Sequence, residues 1–256
     1  MVAEYPDGRR FRMPAHDSDY AAVFFYGEFE AAESAVMRRL LRPGDFAIDV
    51  GANLGWYSIL MSVSVSMIGT VWAFEPVPAT RELLQENLAL NADHVVHVHS
   101  CALAAAPGVI LVHTFRGLPH GHASVSNLGR SDFVAQEVSA ETLDRLVARA
   151  QTPPPLLVKL DAEGAELAIL RGAAEICASN AAPIWLIEAN RETAAAFGYQ
   201  PAALVQQLRD ANDYRIYRIV AKGLAVERDA ERVHGVTWAC VPPSLLDRAK
   251  PCLVAA

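Results

Sequence analysis

Residues 45–62 read DFAIDVGANLGWYSILMS. Phe46–Val50 has the apolar make-up of a strand buried on both faces, and it carries one acid, Asp49. Gly51, Asn53 and Gly55 separate it from a second apolar stretch, long enough for a helix near 55–66. A hydrophobic strand that hands over to a hydrophobic helix must be covered on both sides, which predicts a mostly parallel sheet between helical layers. The rest of the chain repeats the pattern. Strands are expected at 70–74, 95–99, 156–160 and 184–188, with helices near 78–90, 142–150, 165–176 and 201–211. Residues 107–140 lack helical period and read as short strands and loops, and YRIYRIV and GVTWACV read as an antiparallel pair at one edge. AAESAVMRRLL marks residues 1–44 as a helical lead-in to a domain spanning 45–256, the whole forming one globular unit.

Composition narrows the function. The chain has 256 residues and a net charge of −7, and no basic cluster is interleaved with aromatic residues, so nucleic acid is a poor partner. The apolar stretch 54–74 is interrupted by Gly69 and several serines and is expected to be a helix plus a strand, not a membrane span. The N-terminus shows no apolar core of signal-peptide length. Four widely spaced cysteines without C-x-x-C fit a reducing cytoplasm better than a zinc or disulfide framework.

In such a sheet, ligands sit beyond the carboxyl ends of the strands. GANLG is G-x-x-x-G and lacks the third-position glycine of a dinucleotide fingerprint. Asp49 at the strand end also disfavours pyrophosphate and suits a cationic ligand. Glu75 lies 26 residues after Asp49, at the tip of the neighbouring strand, where an acid can accept both hydroxyls of a ribose. A ribose-bearing cation without phosphate describes S-adenosylmethionine.

With these stretches in place, FAIDVGANLGWYS, AFEPVPATRELLQENLALN, ETLDRL and VKLDAEGAELAILRGA together resemble the FkbM-type methyltransferases. The resemblance runs from about residue 42 to 190. It implies a Rossmann-like class I methyltransferase fold, an α/β seven-stranded sheet of order 3-2-1-4-5-7-6, and transfer of a methyl group from S-adenosylmethionine. Many members methylate hydroxyl groups of natural products and sugars. The resemblance implies that Asp49, Gly51, Asn53 and Gly55 cradle the methionine part of the cofactor, that Glu75 holds the ribose, and that Ser100, Cys101 and Ala102 pass the adenine edge. Buried packing is an equal explanation for Cys101.

DAEGAE follows the fourth strand of the repeat. Asp161 and Glu163 are expected at the mouth of the cofactor site, there to hold the cofactor electrostatically, act as general base on a hydroxyl, or bind a divalent cation. By fold-level analogy with magnesium-dependent O-methyltransferases, Asp161 and Glu188 are the candidate metal ligands. Glu166 is expected only to complement a helix dipole. His97 and His99 share one face of a strand read as interior, and packing suits them. His120 and His122 lie in a loop of glycine and serine, LPHGHASVSN, where substrate would enter, and His122 is the candidate base. The resulting expectation is a cytoplasmic O-methyltransferase for a small-molecule hydroxyl, with no nucleic-acid or membrane partner and with its oligomeric state open. The rivals are an N- or C-methyltransferase on the same fold, a non-catalytic cofactor-binding protein, and a nicotinamide oxidoreductase.

Overall fold

The computed structural model describes residues 2–5, 8–13, 27–115, 123–124, 133–230 and 235–254. Its centre is a sheet built from β3 (Phe46–Val50), β4 (Thr70–Phe74), β5 (Val96–His99), β10 (Leu157–Leu160), β11 (Ile184–Ala189), β12 (Arg215–Val220), β13 (Gly223–Val226) and β14 (Val236–Val241). The order is β13-β12-β14-β11-β10-β3-β4-β5. The stretch from β11 to β5 is parallel, and β14, β12 and β13 run antiparallel to their neighbours. Omitting β13, the order is 3-2-1-4-5-7-6, as the resemblance implies. The sheet nevertheless holds eight strands, not seven. After Val220 the chain turns straight back at Gly223 and pairs β13 along β12. YRIYRIV and GVTWACV do pair, but β14 is inserted between β11 and β12, so only β12 and β13 form the edge hairpin.

All five residues of β3 are buried because helices cover both faces. One face packs under α1 (Ala31–Leu40), α2 (Trp56–Val65) and α3 (Pro78–Leu90), through Met37, Leu40, Leu60 and Leu84 among others. The opposite core holds Ile48, Val50, Trp185, Tyr214 and Trp238. It packs against α4 (Leu143–Ala150), α5 (Glu166–Arg171), α6 (Ala174–Ala178) and α8 (Ala202–Asn212). The Thr142 hydroxyl caps α4 by accepting from the Arg145 amide at 3.3 Å. Between β11 and α8 a short helix that the sequence reading did not anticipate, α7 (Arg191–Ala196), is capped by Asn190.

Three further differences have local causes. The lead-in opens on a hairpin, β1 (Val2–Glu4) with β2 (Arg10–Arg12), before α1 begins. Asn87 on α3 and Asn91 just past its end, one turn apart, hydrogen-bond the backbone of β2 as a neighbouring strand would: Asn87 Oδ1 accepts from Arg12 N at 2.6 Å and Asn91 Oδ1 from Arg10 N at 2.9 Å. The helix expected at 165–176 is split at Gly172, where an added Cβ would lie 2.0 Å from the Ala104 carbonyl oxygen. β5 is the sheet's edge strand and not interior. His97 is exposed as a result, while His99 stacks on Phe74 with centroids 4.6 Å apart. The irregular region 107–140 contributes β7 (Gly108–Phe115), β8 (Ala123–Ser124) and β9 (Phe133–Glu141), which with β6 (Ala102–Leu103) form a separate four-stranded sheet.

Among the described residues no helix is long and apolar enough to cross a membrane. The stretch 54–74 is α2 followed by β4.

Candidate functional site

The turn after β3 folds back onto the end of β4. Gly51 and Gly55 have φ of 76° and 90°, and Asn53 between them takes the left-handed region at 49°. The amides of Gly51 and Ala52 donate to the Phe74 carbonyl at 3.1 and 3.0 Å. Asn53 N–H donates to Glu75 Oε2 at 3.0 Å, and Val77 N–H donates to Oε1 at 2.9 Å. Glu75 is thus clamped between the glycine turn and the start of α3, and each carboxylate oxygen keeps a lone pair. Burial pushes its carboxyl up to about 7 despite those two amides.

Asp49 is fully enclosed beneath this turn. Its Oδ2 accepts from the Ser58 hydroxyl at 2.6 Å, and its Oδ1 has no hydrogen-bond partner. Burial raises its carboxyl above the ordinary range. Asn53 Oδ1 is a second buried acceptor without a partner. Two orphaned acceptors and a diol-ready carboxylate at the carboxyl ends of β3 and β4 fit a ligand with hydroxyl and ammonium donors. S-adenosylmethionine has both.

Gly51 shows how tightly the turn meets the neighbouring strand. A Cβ there would lie 1.8 Å from the Asp161 backbone oxygen, in a backbone region that L side chains avoid. Gly51→Ala is therefore expected to destabilise the protein by about 3 kcal/mol, from strain plus overlap. Thermal unfolding checks this, and a melting temperature within about 2 °C of the parent contradicts it.

The second half of the site is a cleft at the ends of β10 and β11, roofed by α1. Glu30, Glu33, Tyr57, Lys159, Asp161, Glu188 and Thr237 contribute the polar walls of this narrow cleft, which is partly open to solvent. Lys159 is 7% exposed inside β10 and donates to Asp161 Oδ2 at 2.9 Å. Its ammonium also lies 4.6 Å from the centre of the Tyr57 ring. Burial alone would depress this ammonium, but Asp161, Asp49 and Glu30 outweigh it and raise it. The charge on Asp161, then burial, then a hydrogen bond to Asp161 push the Glu188 carboxyl far above the ordinary range. Glu30 is exposed as a residue, but its carboxylate turns inward to accept from the Tyr57 hydroxyl.

Glu30, Asn53 and Glu163, which border the turn or the cleft, are non-glycine residues in the left-handed region, with φ of 46°, 49° and 50°. The DAEG loop is held by Glu166, whose role exceeds dipole compensation. Its Oε1 accepts from the amides of Ala162 and Gly164 at 2.9 and 3.2 Å, and Tyr199 donates to its Oε2 at 2.8 Å. Gly164 is required because a Cβ would strike the Phe197 ring at 2.5 Å.

The site residues expected from sequence separate into groups. Asp49, Gly51, Asn53, Gly55 and Glu75 come together around the turn, and Asp161, Glu163 and Glu188 gather around the DAEG end of the cleft. Ser100 is exposed after β5, Cys101 is half-buried with its thiol raised by burial, and Ala102 is buried in β6. His120 and His122 lie outside the described residues. The divalent-cation expectation for Asp161 and Glu188 finds no support. Asp161 is ion-paired to Lys159 at 2.9 Å. Among the described residues no group of three or more His, Cys, Asp and Glu can hold a metal. Sequence reading missed Lys159, Glu30 and Tyr57. The signal for Lys159 was present, since a lysine inside the apolar strand LLVKL must find a partner when buried.

Strand order, glycine turn and the acid at the tip of β4 together define a class I S-adenosylmethionine-dependent methyltransferase. The family model for the methyltransferase FkbM domain matches residues 49–216, and the chain belongs to that family. It is 30% identical over 174 residues to the hexuronic acid methyltransferase AglP of Haloferax volcanii, covering 64% of this chain and 69% of that protein. It is 30% identical over 164 residues to the methyltransferase sdnD of Sordaria araneosa, covering 53% and 62% of the two chains. A crystal structure of a methyltransferase FkbM from Methylobacillus flagellatus superposes with a TM-score of 0.50 at 19% identity, covering 77% of this chain and 43% of that one. The chain therefore spans less than half the length of that solved structure.

Proposed function

We propose that this chain methylates a hydroxyl group of a small molecule, of the natural-product or sugar type. The observation that carries the reading is the grouping of Lys159 and Asp161 at the end of β10 with Glu188 of the neighbouring β11, the Asp161 backbone lying against the glycine turn. Bound S-adenosylmethionine supplies an activated methyl group on a sulfonium sulfur. Glu75 would hold its ribose, and Asp49 with the turn Gly51–Gly55 would cradle its methionine part. Asp161, ion-paired to the Lys159 ammonium at 2.9 Å, would accept the acceptor's hydroxyl proton as the methyl group passes from the sulfonium to the acceptor oxygen. Glu188, its carboxyl raised by the Asp161 charge, would share a hydrogen bond with Asp161 and hold it in place. The protein contributes position and proton removal, with no covalent intermediate on its own side chains. Similarity to a methyltransferase named for hexuronic acid supports a sugar-like acceptor. The net charge of −7 supports a small molecule over nucleic acid, and four unpaired cysteines support a cytoplasmic setting.

The test is mass-spectrometric detection of methyl transfer from S-adenosylmethionine to panels of hydroxyl, amine and carbon acceptors. Hydroxyl acceptors are expected to turn over, and Asp161→Asn is expected to lower that turnover by on the order of 100-fold or more. Turnover confined to amine or carbon acceptors would sink the reading.

A further inference from the structure

Met67 and Ile68 occupy the two corner positions of a tight turn between α2 and β4. The Gly69 amide donates to the Ser66 carbonyl at 3.0 Å and closes the turn. Such corners favour glycine, proline, asparagine and aspartate. Here they hold a methionine and an isoleucine that are 71% and 76% exposed. Val63, four residues before Met67 on α2, is 69% exposed beside them. The backbone holds the pair outward. Thr70 N–H donates to the Asp45 carbonyl at 3.1 Å and Gly44 N–H to the Val65 carbonyl at 2.8 Å, and a Cβ on Gly69 would lie 2.7 Å from the Asp45 oxygen. Single exposed apolar residues are ordinary. Three adjacent ones offer a few hundred Å² of apolar surface, the range at which a patch marks an association site.

A groove of about 360 Å³ lies directly beside the pair. Ile59, Val63, Met67 and Val95 supply apolar walls, and Asn91 and Asp93 supply polar ones. A protruding apolar turn and an apolar groove on one face make that face self-complementary, which an isologous two-fold contact requires. The charges at the rim agree. Asp93 Oδ1 accepts from the amides of Val95 and Val96 at 3.0 and 3.2 Å, leaving Oδ2 to accept from outside. Arg10, exposed on β2, hydrogen-bonds the Leu90 carbonyl and Asn91 at the same end of α3. Two copies present opposite charges to each other, whereas a strongly acidic or strongly basic partner meets one of its own sign. We propose that this face is the contact surface of a homodimer, in which Met67 and Ile68 of each copy seat in the groove of the other. The face lies at the amino ends of β4 and β5, and the glycine turn lies at the carboxyl end of β3, so pairing leaves both cofactor turns open. The patch is smaller than the roughly 800 Å² that a standard interface buries per partner, so association is reversible, with a dissociation constant on the order of 10 µM.

Sedimentation velocity on the full chain, from about 1 to about 200 µM, is expected to show a monomer–dimer equilibrium in that range. Met67→Asp and Ile68→Asp are each expected to weaken it by on the order of 100-fold, because a two-fold axis places every substitution in the interface twice. Val226→Asp is the control. Val226 is similarly exposed, but it lies on β13 at the opposite edge of the sheet from β5, and its substitution should leave the constant within about twofold. Circular dichroism of the three variants confirms that each is folded. A parent that stays monomeric throughout the range overturns the homodimer, and so does a dimer that neither substitution at the turn weakens. Vesicles of phosphatidylcholine and phosphatidylglycerol test the other occupant. A monomeric parent that co-sediments with them, and loses that binding in Met67→Asp, would assign the face to a lipid surface and overturn the homodimer.

Discussion

Replacing Glu75 by alanine is expected to weaken S-adenosylhomocysteine binding by on the order of 100-fold, about 2.7 kcal/mol. Glu75 is the only side chain that hydrogen-bonds an amide of the glycine turn, through Asn53, while anchoring the start of α3 through Val77, among the described residues. Its loss removes the acceptors for the ribose diol and frees the turn they hold. A calorimetric affinity within about threefold of the parent would reduce Glu75 to a loop fastener. The parent should also show a pH signature. The carboxyl sits at about 7, and only the carboxylate accepts two hydroxyl donors. Binding below pH 7 must then release a proton, and affinity should fall up to about tenfold per pH unit. The same shift acts on stability with a definite sign. Native Glu75 holds its proton up to about 7, whereas its ordinary value is 4.5, so the native state binds more protons between those limits. Stability therefore falls as pH rises through that window, by about 3 kcal/mol, and Glu75→Gln should remove that slope.

Lys159→Met is expected to cost about 3–5 kcal/mol, because it leaves enclosed carboxylates without their counter-charge. For a domain of this size that is a fall in melting temperature of roughly 10 °C at neutral pH. The raised ammonium is fully charged there, and its contribution would be lost only as pH rises through its elevated native value. Adding Asp161→Asn should restore part of the loss, since the second change removes one of the stranded charges. The deficit should also shrink as pH falls, because Asp49 and Glu30, whose carboxyls are raised by burial, take up protons before ordinary carboxylates do. A melting temperature within about 2 °C of the parent would show that the ammonium compensates nothing.

Much of the fold is legible along the chain because its signals are local. FAIDV, TVWAF and IWLIE are apolar on both faces, as strands between helices must be, and the structure forms them within a residue of the expected bounds. Pro78 opens α3 and Thr142 caps α4, each a preference set by one residue and its nearest amides. Glycine at 51 and 55 marks the turn because no other residue takes those dihedrals cheaply.

The remainder depends on residues far apart in sequence. The place of β5 at the sheet edge, the insertion of β14 between β11 and β12, and the pairing of β2 with Asn87 and Asn91 are choices among partners that equivalent apolar strands do not specify. The charge arrangement of the cleft is of the same kind. The strand–turn–helix order, the glycine turn and the acids Asp49, Glu75, Asp161 and Glu188 at strand ends follow from the sequence by itself, since side-chain period and backbone sterics act over a few residues. That Glu30 reaches Tyr57, that Lys159 stands against Asp161 and across from Asp49, and that the Asp161 charge raises the Glu188 carboxyl were decided only by the tertiary structure. Electrostatic energy in a buried site depends on separations of a few ångströms between chemically ordinary residues, and the fold alone sets those separations.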